Sequence, residues 1–252
     1  MNFISNRSVR RWLSAGVMLL ALLAISPAEA WYYFVANNSE RTQWVFNSSC
    51  NPGSGSINLY VDSDTPAAEQ NSLHTTTTWG PPVITDWNEP FSGASIGLIN
   101  TSINTSISMT SSTVVSFHNS PTAGQLWIVY DSDGSVFSTF GLDPTSGILG
   151  VGVTYSLDGS NPHHVCAGLV LINALFINAN YGGMATRQYK VTALHEIGHA
   201  MGFAHSVSAY NNFSTVTTPV GTRAVMYPFS SLSGPTQLQN DDHAGARAVY
   251  GQ

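Results

Sequence analysis

The chain has 252 residues, 43% of them apolar and only 9% charged, which suits one domain with a substantial core. Eight basic and 14 acidic side chains give a net charge of −6, and Lys190 is the single lysine. That surface is a poor match for phosphate backbones, so nucleic acid is excluded as an expected partner.

The first 30 residues read as an export signal. Arg7, Arg10 and Arg11 precede a short apolar run from Leu13 to Ile25, and Ala28-Glu29-Ala30 supplies a small-x-small cleavage pattern. Arg10-Arg11 raises the twin-arginine route, but the following residues fit it poorly. Removal of residues 1–30 leaves 5 basic and 13 acidic side chains, about −8 in net charge. No later segment has the length and apolarity of a bilayer span. The expectation is a secreted monomer of residues 31–252, extracellular or periplasmic, with no membrane partner once the signal is gone. Its two cysteines, Cys50 and Cys166, are expected to pair as a disulfide in an oxidising compartment.

After an aromatic opening (Trp31 to Phe34), Ile57 to Asp62 alternates apolar and polar residues as a half-buried strand does. Pro90 and Gly93 argue against a long regular helix between Val83 and Ile99. Thr113–Phe117, Leu126–Tyr130, Gly147–Tyr155 and Val165–Ile172 are β-branched or aromatic runs that predict strands. Asp131-Ser132-Asp133-Gly134 reads as a turn. It also offers oxygen ligands for a structural Ca2+, although a plain Asp-Gly turn is the simpler reading.

From Thr186 to Met201 apolar residues recur at helical spacing, and Asp241 to Tyr250 predicts a short closing helix. Strands first and helices later point to an α+β domain.

The predicted helix carries His195-Glu196-x-x-His199-x-x-Gly202-x-x-His205. Residues four apart share a helical face, so His195 and His199 can grip one cation from adjacent turns. A left-handed Gly202 would end the helix and let His205 return as a third ligand. Three protein ligands leave the fourth zinc position open, the pattern of a catalytic rather than a structural site. Zinc polarises a carbonyl and acidifies water, and Glu196, beside the first ligand, would serve as general base.

The motif resembles that of metzincin zinc endopeptidases, and within them the chain is similar to the matrixins, the matrix-metalloproteinase family, in a bacterial-type form. Ser206 after the third histidine fits the resemblance, as do Ala224-Val225-Met226-Tyr227-Pro228 and Leu238-Gln239-Asn240-Asp241-Asp242 with Gly245 and Tyr250-Gly251. It is specific over 186–252 and only suggestive upstream. It implies a zincin-like catalytic domain: a twisted, mostly parallel sheet of about five strands, an active-site helix and a C-terminal helix. It also implies Met226 as a methionine turn beneath the zinc, and Tyr227 and Pro228 as walls of the substrate pocket. Ser230 departs from the tyrosine common there.

Other signals are weaker. His163-His164 lacks the His-x-Asp spacing of the structural zinc in animal matrixins. Cys50 lacks the Arg and Asp flanks of a prosegment cysteine switch. Asp241 and Asp242 read as capping and hydrogen-bonding groups rather than catalysts. Asn37, Asn47, Asn100, Asn104 and Asn212 head glycosylation sequons. The expected function is hydrolysis of peptide bonds in proteins or peptides by a catalytic Zn2+, either broadly or at one narrow target. The competing reading is a catalytically inactive secreted binding module or adhesin that uses zinc only as support.

Overall fold

A computed structural model describes residues 43–44, 50, 56–91, 99–157, 164–205, 224–226 and 234–250. The export signal, the aromatic opening, His163, Ser206, Tyr227, Pro228 and Ser230 lie outside the described residues, as do the sequons at Asn37, Asn47 and Asn212.

In chain order the elements are β1 (Gln43–Trp44), β2 (Ile57–Val61), α1 (Ala67–His74), α2 (Val83–Asn88) with a 3-10 turn (Glu89–Phe91), β3 (Ile99–Asn104), α3 (Ser111–Asn119), β4 (Gln125–Tyr130) and α4 (Ser135–Thr139). They continue with β5 (Gly150–Tyr155), β6 (His164–Val165), β7 (Ala167–Ile172), α5 (Ala174–Tyr181), a second 3-10 turn (Gly182–Met184), α6 (Ala185–Ala200) and α7 (Asn240–Tyr250). Five strands form one sheet in the order β3-β2-β4-β7-β5, and β1 pairs with β6 in a separate two-stranded ribbon. All pairings within the five-stranded sheet are parallel except β5 with β7. The fold is α+β with a mostly parallel five-stranded sheet and a long site helix, as the resemblance implies.

Strand alternation divides the core in two. Ile57, Leu59 and Val61 of β2, Leu126 and Ile128 of β4, and Val170 and Ile172 of β7 face α1, α2, α5, α6 and α7. The intervening Tyr60, Trp127, Val129, Leu169 and Leu171 pack with Val114 and Phe117 of α3 and Val136 and Phe137 of α4. Period-two patterning thus places apolar side chains on both sheet faces, as a sheet covered twice requires.

One sequence expectation is corrected. Thr113–Phe117 belongs to a helix, not a strand. Thr110 accepts the Thr113 N–H as its N-cap, and Val114 and Phe117 share one buried face three residues apart. Capping and packing override the strand preference of the β-branched run. The polar Ile99–Asn104, for which the sequence predicts no element, forms an edge strand; Asn88 fixes its start through hydrogen bonds with both Ile99 N–H and Ile99 O. The disulfide between Cys50 and Cys166 is formed, with the Cα atoms 4.6 Å apart. Closing a loop of 116 residues stabilises the fold by about 4–5 kcal/mol in the chain-entropy account.

Among the described residues no helix is long and apolar enough to cross a membrane. Asp131 and Asp133 cap α4, accepting the Phe137 and Ser135 N–H groups at 2.8 and 2.9 Å, with Gly134 left-handed at φ 77° between them. The anticipated turn is present, and among the described residues neither they nor His164 joins a group of three converging His, Cys, Asp or Glu side chains.

Candidate metal centre

Helix α6 is not an amphipathic surface helix; its residues from Gln188 to Ala200 are all buried. Close approach to β5 accounts for this. A Cβ at Gly150 would meet the Glu196 Cγ at 2.6 Å, and one at Gly152 would collide with the Glu196 carbonyl oxygen. The two glycines therefore let the helix lie directly on the edge strand.

The helix ends as the sequence predicts. Phe203 N–H donates to Gly198 O at 3.0 Å and Gly202 N–H to His199 O at 2.9 Å, with Gly202 at φ 95°. This is a Schellman cap, and it returns the chain so that His205 faces His195 and His199. The three Nε2 atoms lie 3.1, 3.1 and 3.2 Å apart.

Two rings are fixed from behind. His195 Nδ1 lies 2.6 Å from Val225 O and His199 Nδ1 lies 2.7 Å from Phe203 O. A carbonyl only accepts, so each Nδ1 carries the proton and each Nε2 its lone pair. The His195–His199 contact then sets two lone pairs face to face, which a shared cation makes favourable. Ligands about 2.0 Å from a tetrahedral zinc stand roughly 3.3 Å apart, close to the observed spacing. The donor set therefore fits zinc.

Burial lowers the pKa of all three imidazoles, and for His199 and His205 neighbouring rings add to it; His205 is pushed down to about 3. The rings are thereby held neutral, the form that binds metal. Burial pushes the Glu196 carboxyl up to about 8, opposed by the Gly152 N–H that donates to it. A divalent cation at the triad would act in the same direction as that N–H.

Met226 is buried beneath the helix. A Cβ on Gly198 would overlap the Met226 Sδ and come within 2.9 Å of Trp87 Cζ2, so Gly198 is what admits the thioether against the helix. The turn bearing Met226 is tied to α7. Asp242 accepts from the N–H groups of Val225, Met226 and Gln239 at 2.8, 3.1 and 2.9 Å. A continuous path thus runs from Asp242 through the Val225 peptide to the His195 ring, the supporting role anticipated for that carboxylate.

Sequence reasoning missed Gly150 and Gly152 and the ties at the end of α6. Trp44 Nε1–H donates to Ala200 O at 2.9 Å, and the Tyr250 hydroxyl donates to Met201 O while accepting the Trp44 N–H. The Gly-x-Gly alternation in β5 was the available signal for the glycines. No local signal marks the Trp44 and Tyr250 contacts, which join residues 156 and 49 positions apart.

Over 63 residues, 25% of the chain, the sequence is 43% identical to interstitial collagenase from Bos taurus and 41% identical to that from Oryctolagus cuniculus. The chain spans about a tenth of the length of these relatives. No family model matches the chain. The likeness is coarse support for a matrix-metalloproteinase-like relationship.

Proposed function

We propose that this chain is a secreted, zinc-dependent endopeptidase of the matrixin type. The observation that carries the reading is the convergence of three neutral imidazole nitrogens within 3.2 Å beside a buried glutamate. His195, His199 and His205 would hold the ion. When bound, zinc supplies a Lewis acid that acidifies water and polarises a peptide carbonyl. Glu196 accepts the proton of the attacking water and delivers it to the departing amine. The Gly152 N–H holds the Glu196 carboxylate in place, and the buried helix keeps bulk water from that exchange.

Among the described residues β5 pairs on one side only, with β7, so its other edge has backbone groups to offer beside Glu196. An extended peptide adding to that edge would be aligned by main-chain hydrogen bonds, which favours protein or peptide substrates. Tyr227 and Pro228 are proposed to wall the pocket for the residue after the scissile bond, and Met226 to form the floor of the zinc site. Export after removal of residues 1–30 fits the Cys50–Cys166 disulfide, a bond of oxidising compartments.

Digestion of unfolded casein, with and without a zinc chelator, tests the reading. Cleavage abolished by chelation and restored by zinc is the expected result; cleavage untouched by complete zinc removal would defeat it.

A further inference from the structure

A second set of ligand-type side chains converges away from the imidazole triad. Asp86 in α2 and Glu89 in the following 3-10 turn are three residues apart and so share a face. His243 comes to them from α7, and one ligand atom from each of the three lies within 4.8 Å of the others. They line a cleft of about 430 Å3 that Pro81, Asn240 and Arg247 help to enclose.

Asp86 is buried and already aimed, since its Oδ2 accepts the Leu238 N–H at 2.7 Å. Glu89 is exposed and His243 half-buried, which leaves a route from solvent and side chains able to close the remaining ångström or so onto an ion. Burial pushes the Asp86 carboxyl up to about 6, opposed by the Leu238 N–H and by His243 and Lys190. Lys190 itself donates to the carbonyls of Trp79 and Pro81 at 3.3 and 2.6 Å.

The donor chemistry selects the ligand. Two carboxylates neutralise one divalent charge. An imidazole in the set favours zinc-class transition ions over calcium, which takes six to eight oxygens. We propose that Asp86, Glu89 and His243 form a second divalent-metal site that fastens α7 to α2. Its position gives it a consequence at the triad, because His243 adjoins Asp242, the residue that holds the Val225–Met226 turn.

The test is a zinc count per chain by native mass spectrometry on purified protein, stripped of metal and reloaded with zinc alone. Glu89→Gln and His243→Gln alter exposed or half-exposed side chains, so the fold should survive. Asp86→Asn retains an oxygen for the Leu238 N–H. The expected result is a count lower by one in the Glu89→Gln/His243→Gln double variant, with a Tm rise on zinc addition smaller than in the parent. A double variant whose count equals the parent's overturns the proposal. A separate His195→Gln/His199→Gln variant keeps the two readings apart. If it loses no zinc the triad reading fails, whatever happens at the second site.

Discussion

The two faces of the sheet are built from the same strands by opposite rules. On β5, Gly150 and Gly152 turn toward α6, whereas Val151, Val153 and Tyr155 turn toward α3 and α4. On β5 the site face removes side chains so that the helix bearing His195, Glu196 and His199 can come close. The far face fills its space with large rings: Trp127 stacks on Tyr60 at 4.6 Å, and Phe117 meets Tyr155 edge-on at 5.7 Å. The difference separates positions where geometry serves chemistry from positions where it serves stability alone. Substitutions on the first face should change metal binding or turnover, and those on the second only the melting temperature.

The largest effect should come from Glu196→Gln. It keeps the shape and removes the proton acceptor, so kcat on a peptide substrate should fall by about 10²–10⁴. Zinc content and Tm should stay at or above the parent's, because a buried carboxyl is replaced by a neutral group. Parent-like turnover would remove Glu196 from the proposed chemistry. The far-face counterpart is Leu169→Ala, which empties a fully buried position and should cost about 2–5 kcal/mol of stability by denaturant unfolding. Its kcat/KM at 25 °C should match the parent's; a large loss would mean that the faces are not independent.

Gly152→Ala probes the close approach. The added Cβ meets the Glu196 backbone oxygen and lies 2.6 Å from the His199 Cβ, so overpacking should cost about 1–3 kcal/mol. Because the strain falls between the general base and a metal ligand, zinc affinity should drop with stability. Asp242→Asn should be milder. It retains one acceptor oxygen but loses the charge that holds the Val225 and Met226 N–H groups, and support of this kind is worth about 10–100-fold in metal affinity. Competition with a chelator of known affinity reads both.

How much of this could be read beforehand follows from how local each signal is. The triad, Glu196, the Gly202 turn and the closing helix lie in runs of a dozen residues where spacing alone fixes geometry. Asp242 was recognisable as a supporting group because it sits in the first turn of that closing helix. The disulfide needed only two cysteines and an oxidising compartment. By contrast, Thr113–Phe117 was misread because residue preference spoke for a strand, while the Thr110 cap and the seat against Trp127 decided for a helix. Gly150 and Gly152 drew no notice, since a glycine in a strand acquires meaning only when the opposing helix is known. Residues 227–228, expected to wall the pocket, lie outside the described part of the molecule.

The smallest effect belongs to His118, at the rim of the far face. Its Nδ1 lies 2.9 Å from the Tyr155 hydroxyl, and its ring meets Phe140 edge-on at 5.1 Å. Partial burial lowers its pKa below 6.5. A base whose folded-state pKa is depressed binds fewer protons folded than unfolded, so stability rises with pH through that window. The contribution is complete above pH 6.5 and is lost as the pH falls toward the folded value. Zinc-loaded parent and His118→Gln, melted side by side between pH 7.5 and 5, should therefore diverge, with the parent losing more Tm on acidification. Glutamine can still bond the Tyr155 hydroxyl but cannot titrate, so the difference isolates the proton. Since the ring sits on the opposite face of the sheet from the triad, bound zinc should be equal in the two proteins throughout. A variant that lost zinc faster on acidification would show that even this rim position communicates with the metal face.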